Sequence, residues 1–145
     1  MAHGPVLTMP VVAIVAQVLL GLGLLGAGTG HLTVLRRQFQ AQVPPWLPLD
    51  ADLVVVASGV VEVALGLALL VVWRQPARGL VGAITAAFLV AVFPGNVAQF
   101  TEQRDAFGLD TDLARGVRLL FQPMLVAWAL LATGAIPVLR RLIRR

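Results

Sequence analysis

Four long apolar stretches, separated by short segments rich in charged residues and proline, cover most of the 145-residue chain. Each stretch is close to the roughly 20 residues that an α-helix needs to cross the hydrocarbon core of a bilayer. Because backbone groups in lipid must pair within their own segment, helix is the expected conformation. The pattern predicts one all-α domain over residues 1–145, an integral membrane four-helix bundle with up-down-up-down topology. The predicted spans are about 9–31, 52–73, 79–100 and 116–139, the third interrupted by Pro94-Gly95.

The composition supports a membrane protein, because hydrophobic residues make up 59% of the chain and charged residues only 12%. A soluble domain carries about 25% charged residues. There is no cysteine, which excludes disulfides, thiol redox chemistry and cysteine-bound metals. All basic residues are arginine, a usage that indicates a GC-rich bacterial genome and therefore the bacterial cytoplasmic membrane. The arginines lie at membrane edges rather than on one face, so the high pI does not indicate nucleic acid.

The loop charges predict the orientation. Two segments carry arginine without any Asp or Glu: the turn between spans two and three, and the C-terminal tail. The opposite loops mix arginine with six carboxylates. Since the side richer in basic residues stays inside, both termini are predicted to be cytoplasmic. Two alternatives remain open: a cleaved signal peptide in place of the first span, disfavoured because no Lys or Arg precedes it, and an arginine tail that rests on anionic lipid.

The two loops on the outer side are long. The first, residues 32–51, contains the segment LRRQFQAQ followed by VPPWLP, whose prolines prevent a continuous helix. We expect a short interfacial helix followed by a rigid lid, with Trp46 at the headgroup level. The second, residues 101–115, is polar and is expected to be mobile.

Glu62 stands in the middle of the second span, where a charged side chain costs about 2.5–3.5 kcal/mol and therefore faces a protein interior or a water cavity. Polar groups on the other spans descend from the outer boundary towards it, and Gln17 of the first span is placed at a similar depth. The predicted outward-opening pocket consists of His31, Ser58, Glu62, Asn96, Arg118 and Gln122. We expect an ion pair between Glu62 and Arg118, direct or through water, with Gln122 between them and Asn96 bonding from the third span.

These residues also allow other interpretations. The polar groups could simply hold the helices together, helped by small residues such as the GxxxG pair Gly26 and Gly30. One histidine and one carboxylate are too few ligands for a metal site. GLGLLGAG in the first span lacks the preceding strand that a phosphate-binding loop requires.

The residues in order, GTGHL, Phe39, VPPWLP, SGVVEVALG, FPGN and RLLFQ with Trp128 behind it, resemble the DoxX-like family of small four-helix membrane proteins. The resemblance extends from about Gly21 to Leu131. The matching motif positions are His31, Pro44, Trp46, Pro48, Ser58, Gly59, Glu62, Gly66, Pro94, Asn96, Arg118 and Gln122. The chain departs from the family at Leu32, where an aromatic residue is common, and at Gly95, where alanine is usual.

The resemblance implies an accessory or assembly subunit whose pocket receives a lipid, a quinone or a partner helix, without choosing among them. A quinone is a candidate ligand, and no other cofactor is predicted. No catalytic residue and no metal site are predicted. The expected partners are the lipid bilayer and either a membrane protein or a second copy of the chain. Two alternatives are an enzyme acting on an isoprenoid or lipid with Glu62 as acid or base, and a transporter.

Overall fold

The computed structural model describes residues 9–144, and its regular elements in that range are helices. They are α1 Val11–Leu32, α2 Arg36–Phe39, α3 Ala51–Val71, α4 Ala77–Thr101, α5 Asp112–Thr133 and α6 Ala135–Ile143, with a 3-10 turn Gln40–Gln42 after α2. Four of them, α1, α3, α4 and α5, are long and apolar enough to cross a membrane. This confirms the all-helical fold and the four long apolar helices that could span a membrane. The predicted interruption at Pro94-Gly95 does not end α4, which continues to Thr101.

The fourth span differs from its predicted position at 116–139. It starts at Asp112, where the Thr111 side chain accepts a hydrogen bond from the Ala114 N–H at 3.1 Å. It ends at Gly134, which adopts the left-handed conformation (φ 68°) that commonly terminates helices. The apolar residues continue past this break into α6, a separate short helix with exposed arginines near its end, and their hydrophobicity concealed the glycine stop.

The four long helices form two close pairs: α1 packs along α3, and α4 packs along α5. The pairs meet mainly between α1 and α5, whereas α3 and α4, although consecutive in sequence, touch only sparingly. The short α6 packs against α4. The buried core that joins the pairs consists of Leu20, Leu24, Leu65, Leu69, Ala86, Leu89 and Ala129.

Two glycine pairs bring α1 and α3 into backbone contact. A methyl group at Gly28 would lie 2.7 Å from the carbonyl oxygen of Gly59, and one at Gly66 would lie 2.8 Å from that of Gly21. Small residues allow such close approach of helices where lipid provides no hydrophobic drive for association. Gly26, a member of the predicted GxxxG pair, faces open space instead.

A buried hydrogen-bond network closes the end of the bundle where α3 ends and α4 begins. Gln17 donates through Nε2 to the Leu69 carbonyl (2.7 Å) and the Val72 carbonyl (3.2 Å), at the C-terminal end of α3. Arg78 donates through Nε to Gln17 Oε1 (2.6 Å) and through an Nη to the Ala132 carbonyl (2.7 Å). These donors satisfy carbonyls that helix ends leave unpaired.

This network corrects two expectations. Arg78, counted in the sequence as a loop arginine, is only 5% exposed and belongs to α4. Gln17 does not lie at the depth of Glu62, since it bonds to Leu69 and Val72, two and more helical turns further along α3. Both errors arise because hydropathy identifies an apolar stretch only approximately. It shows neither how the helices are aligned against one another nor where a polar side chain points.

The second outer loop, expected to be mobile, is tied to the first. Arg104 donates to the Val43 carbonyl (3.0 Å), and the Phe107 N–H donates to Gln38 Oε1 (2.9 Å). Arg115 at the start of α5 pairs with Asp105 (2.7 Å) and Asp112 (2.9 Å). The arginines of this loop therefore serve as internal ties between segments rather than as a free charged surface.

Candidate functional site

A cavity of about 500 Å³ lies between α1, α3, α4 and α5, on the side of the bundle where α1 ends and α5 begins, and the first outer loop covers it. Its lining is mostly apolar, with leucines of α1 and valines of α3 among the walls. The structure brings all six predicted pocket residues to this one cavity. They are His31, Ser58, Glu62, Asn96, Arg118 and Gln122.

Glu62 and His31 lie side by side in the wall. The Glu62 residue is 8% exposed and His31 7% exposed, and Glu62 Oε2 is 3.0 Å from His31 Nδ1. His31 Nδ1 is also 2.8 Å from the Ala27 carbonyl oxygen. Gly59 makes room for the ring, because a methyl group there would lie 2.6 Å from the His31 Cβ.

The Glu62 carboxylate is incompletely satisfied. Although His31 Nδ1 is near, the hydrogen-bond geometry favours the Ala27 carbonyl, and Oε2 of Glu62 is buried without a hydrogen-bond partner among residues 9–144. A buried polar atom left unpaired costs about 1–3 kcal/mol, and more when it is charged. Such an atom in a cavity wall indicates that a donor from outside the chain completes the site.

The opposite wall carries an amide cluster. Asn96 of α4 donates to Gln122 Oε1 (3.1 Å), and Gln122 Nε2 donates to the Leu89 carbonyl (2.6 Å). Arg118 reaches the same Gln122 Oε1 only weakly, at 3.5 Å. The predicted bond from Asn96 is therefore present, and Gln122 holds α4 and α5 together at the cavity wall.

The predicted direct ion pair between Glu62 and Arg118 is wrong for this structure. Both groups line the cavity, and within residues 9–144 the side chain within ion-pair distance of Glu62 is that of His31, not Arg118. Arg118 instead points along its own helix towards Gln122, one turn away. Whether water joins the two charges stays a prediction.

The first outer loop covers the cavity as a lid, defined here as residues 36–48. The predicted short helix is present as α2, and the Phe39 ring stacks on the His31 ring with centroids 3.4 Å apart. Gln42 donates to Gln99 of α4 (2.9 Å), and its carbonyl oxygen approaches Gly95 so closely that a side chain there would collide. Gly95 thus lets the lid rest on α4.

An ion pair fixes the other end of the lid. The Arg36 guanidinium binds the Asp52 carboxylate at the start of α3, and Gln40 donates to the same carboxylate at 3.0 Å. Hydrogen bonding to Asp52 raises the pKa of Arg36 above its ordinary value. Sequence reasoning missed Gln40 and Gln42, because polar loop residues carry no periodic signal that marks their partners.

Some residues line the cavity and are also exposed on the bundle surface. They are Leu19 and Gly23 on α1, Ala91 and Pro94 on α4, and Trp46 in the lid. The exposed residues of α1 and α4 lie on the flank of the bundle, which is reached from the side rather than through the lid. Trp128, which also lines the cavity, donates to the Ala16 carbonyl (2.8 Å) and joins α5 to α1. The cavity therefore opens sideways, where a bilayer would place lipid chains.

The fold and this cavity define a class: a small helical protein with four apolar helices suited to crossing a membrane, and a partly polar cavity between them. Residues 20–133 match a family described as a domain of unknown function, DUF8561, and the chain belongs to that family. Neither the curated proteins nor the solved structures gave a match. The family match includes all six predicted pocket residues and ends where α5 ends, so α6 lies outside it. Within residues 9–144 no group of three or more His, Asp or Glu side chains is placed to hold a metal ion.

Proposed function

We propose that this protein is a DoxX-like accessory protein of the bacterial cytoplasmic membrane that holds an amphiphilic molecule of the bilayer in its outer cavity. The observation that carries the proposal is the buried Oε2 of Glu62 in the wall of a mostly apolar cavity: it has no hydrogen-bond partner among residues 9–144, although His31 Nδ1 lies 3.0 Å from it. Ligand pockets combine such apolar walls with a few convergent polar groups, at volumes of about 300–1,000 Å³.

A comparison of the Gln17–Arg78 network with the polar residues of the cavity supports a ligand-binding role for the cavity, rather than a role in helix packing alone. In the inner network, Gln17 and Arg78 bond to each other and to helix-end carbonyls, and Gln17 is fully buried. The outer cluster instead borders empty volume and leaves Glu62 Oε2 unsatisfied. If holding the helices together were the only role, the outer cluster would be as fully paired as the inner one.

The lid favours a small amphiphile over a partner helix. Residues 36–48 cover the outer end of the cavity and are held by Gln42 and by the Arg36–Asp52 pair. A helix with its side chains is about 10–12 Å wide. To enter, it would have to displace the lid or separate α1 from α5, whereas a ligand chain passes through the lateral gaps.

An enzyme remains the second candidate, because Glu62 and His31 form a close carboxylate–imidazole pair at 3.0 Å. Such a pair can transfer a proton to or from a bound isoprenoid or lipid. The test is incubation of the purified protein with candidate lipids and mass spectrometry of the products. Absence of turnover that depends on both Glu62 and His31 would exclude the enzyme.

We also propose that both termini are cytoplasmic. Arg74, Arg140, Arg141 and Arg144 are exposed at one end of the bundle. At the other end, Arg36 and Arg115 pair with carboxylates, and Arg104 bonds to lid carbonyls. Arg37 is also exposed at that end, but the exposed arginines are more numerous at the end assigned to the cytoplasm, which supports the proposed orientation under the positive-inside rule.

The orientation is testable because the chain has no cysteine. We expect Asp110→Cys to react with a membrane-impermeant maleimide on intact cells, and Arg74→Cys to react only after the cells are permeabilised. Both positions are exposed, so a difference in labelling reports the side of the membrane. The reverse labelling pattern would contradict the proposed orientation.

Filling the cavity should remove the ligand without unfolding the protein. A side chain at Gly23 meets nothing within 4 Å and projects from a cavity-lining position, so Gly23→Phe is expected to occupy the cavity. Gly26 is equally open but does not line the cavity, which makes Gly26→Phe the matched control. Native mass spectrometry of protein from membranes should show bound amphiphile on the wild type and on Gly26→Phe, and little on Gly23→Phe. Equal occupancy of the two variants would refute a ligand in this cavity.

A further inference from the structure

The chemistry of the cavity specifies more about its ligand. Among residues 9–144, Glu62 Oε2 has no hydrogen-bond partner and needs a donor, although His31 Nδ1 lies 3.0 Å away. The same Nδ1 is 2.8 Å from the Ala27 carbonyl oxygen, which competes for it. The hydrogen bond that best compensates a buried carboxylate comes from a cationic N–H group, because charge-assisted bonds are roughly twice as strong as neutral ones. A primary ammonium supplies both the charge and several donors.

Arg118 can bind an anionic group of the same ligand. Its guanidinium lines the same cavity, and its one hydrogen bond to a side chain within residues 9–144 is the 3.5 Å contact with Gln122. A guanidinium prefers an anionic oxygen group, and its planar fork matches phosphate particularly well. One carboxylate and one guanidinium in the same cavity together select a ligand that carries both charges and no net charge.

The lateral opening of the cavity indicates that the ligand has a long apolar chain. Leu19 and Gly23 of α1 line the cavity and are also exposed on the flank of the bundle, so a chain that starts at the polar wall can leave sideways past them, through this lateral gap, into the bilayer. A free zwitterion such as leucine has the same charged groups but no chain long enough to use this gap. The lateral gap therefore favours a lipid as the source.

We infer that the cavity selects a zwitterionic phospholipid with a primary ammonium, which binds Glu62, while its phosphate binds Arg118 and its acyl chains leave sideways past Leu19 and Gly23 of α1. This inference rests on the proposed function and names the ligand class for the same cavity. It distinguishes phosphatidylethanolamine from phosphatidylcholine, which has the same charges but no N–H on its headgroup nitrogen.

The test uses the full-length protein in detergent, exchanged with equal amounts of dioleoyl phosphatidylethanolamine and dioleoyl phosphatidylcholine, with native mass spectrometry as the readout. We expect phosphatidylethanolamine to be retained at least about tenfold more than phosphatidylcholine, because a charge-assisted hydrogen bond is at stake. Equal retention of the two lipids by the wild type would overturn the inference.

Two variants test whether Glu62 binds the ammonium and Arg118 binds the phosphate. Glu62→Gln should reduce the preference for phosphatidylethanolamine to within about twofold, because the carboxylate that attracts the ammonium is gone. Arg118→Gln should weaken retention of both lipids and leave their ratio unchanged, since both carry the phosphate. A ratio that persists in Glu62→Gln, or that is lost in Arg118→Gln alone, would overturn the assignment of the ammonium to Glu62.

The fold of the Glu62 variant is checked separately. Glu62→Gln removes a buried carboxylate with an unpaired oxygen, so the melting temperature of lipid-free protein should stay the same or rise. A large fall would mean that Glu62 supports the fold and would overturn its assignment as a ligand group.

Controls separate this inference from the proposed function. If Gly23→Phe abolishes lipid retention but the wild type treats the two lipids alike, the cavity binds lipid and only the headgroup assignment fails. If Gly23→Phe retains lipid as Gly26→Phe does, the proposed function fails as well. Displacement of phosphatidylethanolamine by millimolar leucine would assign the site to a free zwitterion and overturn the lipid.

Discussion

Gly28→Ala is expected to destabilise the bundle by about 1–3 kcal/mol, the usual cost of overpacking a close contact. The added methyl group would lie 2.7 Å from the Gly59 carbonyl oxygen and 2.8 Å from the Val63 backbone nitrogen. Backbone atoms cannot rotate away as a side chain can, so α1 and α3 must separate. Their separation would also disturb the wall that carries His31 and Glu62.

The matched control is Gly26→Ala, two residues earlier on the same helix. A methyl group there meets nothing within 4 Å, so only the helix propensity changes, and it favours alanine by about 1 kcal/mol. The two variants should therefore shift the melting temperature in detergent in opposite directions. Equal effects would contradict the close contact between α1 and α3.

Arg78→Ala should destabilise the protein by about 3 kcal/mol or more, because hydrogen bonds to charged groups each contribute about 1.5–3 kcal/mol. The change deletes the bonds to Gln17 Oε1 and to the Ala132 carbonyl and leaves both acceptors buried. Arg74→Ala is the control, since Arg74 is exposed in the turn four residues earlier and should change stability very little.

A double-mutant cycle measures the coupling in this network. Gln17→Leu and Arg78→Leu each leave the other partner unsatisfied, whereas the double variant removes both sides of the bond. The combined loss of stability in denaturant titrations should therefore be clearly smaller than the sum of the single losses. Additive losses would show that the Gln17–Arg78 bond contributes nothing.

Hydropathy was sufficient to predict the helical fold and the four spans, because length and apolar composition decide whether a helix can cross a membrane. It did not predict where the fourth span stops. The apolar run continues directly after Gly134 through residues 135–139, and only the left-handed glycine shows that α6 is a separate helix.

The pocket residues could be predicted as a set but not as pairs. Polar side chains in apolar spans turn inwards, so the shared cavity of Glu62 and Arg118 followed from their chemistry. Their partners depend on how each helix is rotated about its axis. That rotation is set by the Gly28–Gly59 contact, which brings His31 beside Glu62. The sequence alone favoured Gly26 and Gly30, a pair with the familiar spacing that does not face α3.

The central claim is that an amphiphile occupies the cavity under the lid, and photocrosslinking tests it most directly. Wild-type protein in native membranes would be irradiated with a phosphatidylethanolamine that carries a diazirine in its acyl chain, and the adducts mapped by peptide mass spectrometry. We expect the adducts to concentrate on cavity-lining residues such as Leu20, Leu24 and Val92, and to disappear from them in Gly23→Phe. Adducts spread evenly over outward-facing residues such as Val12, Ile84 and Leu131, with no excess in the cavity, would contradict the claim.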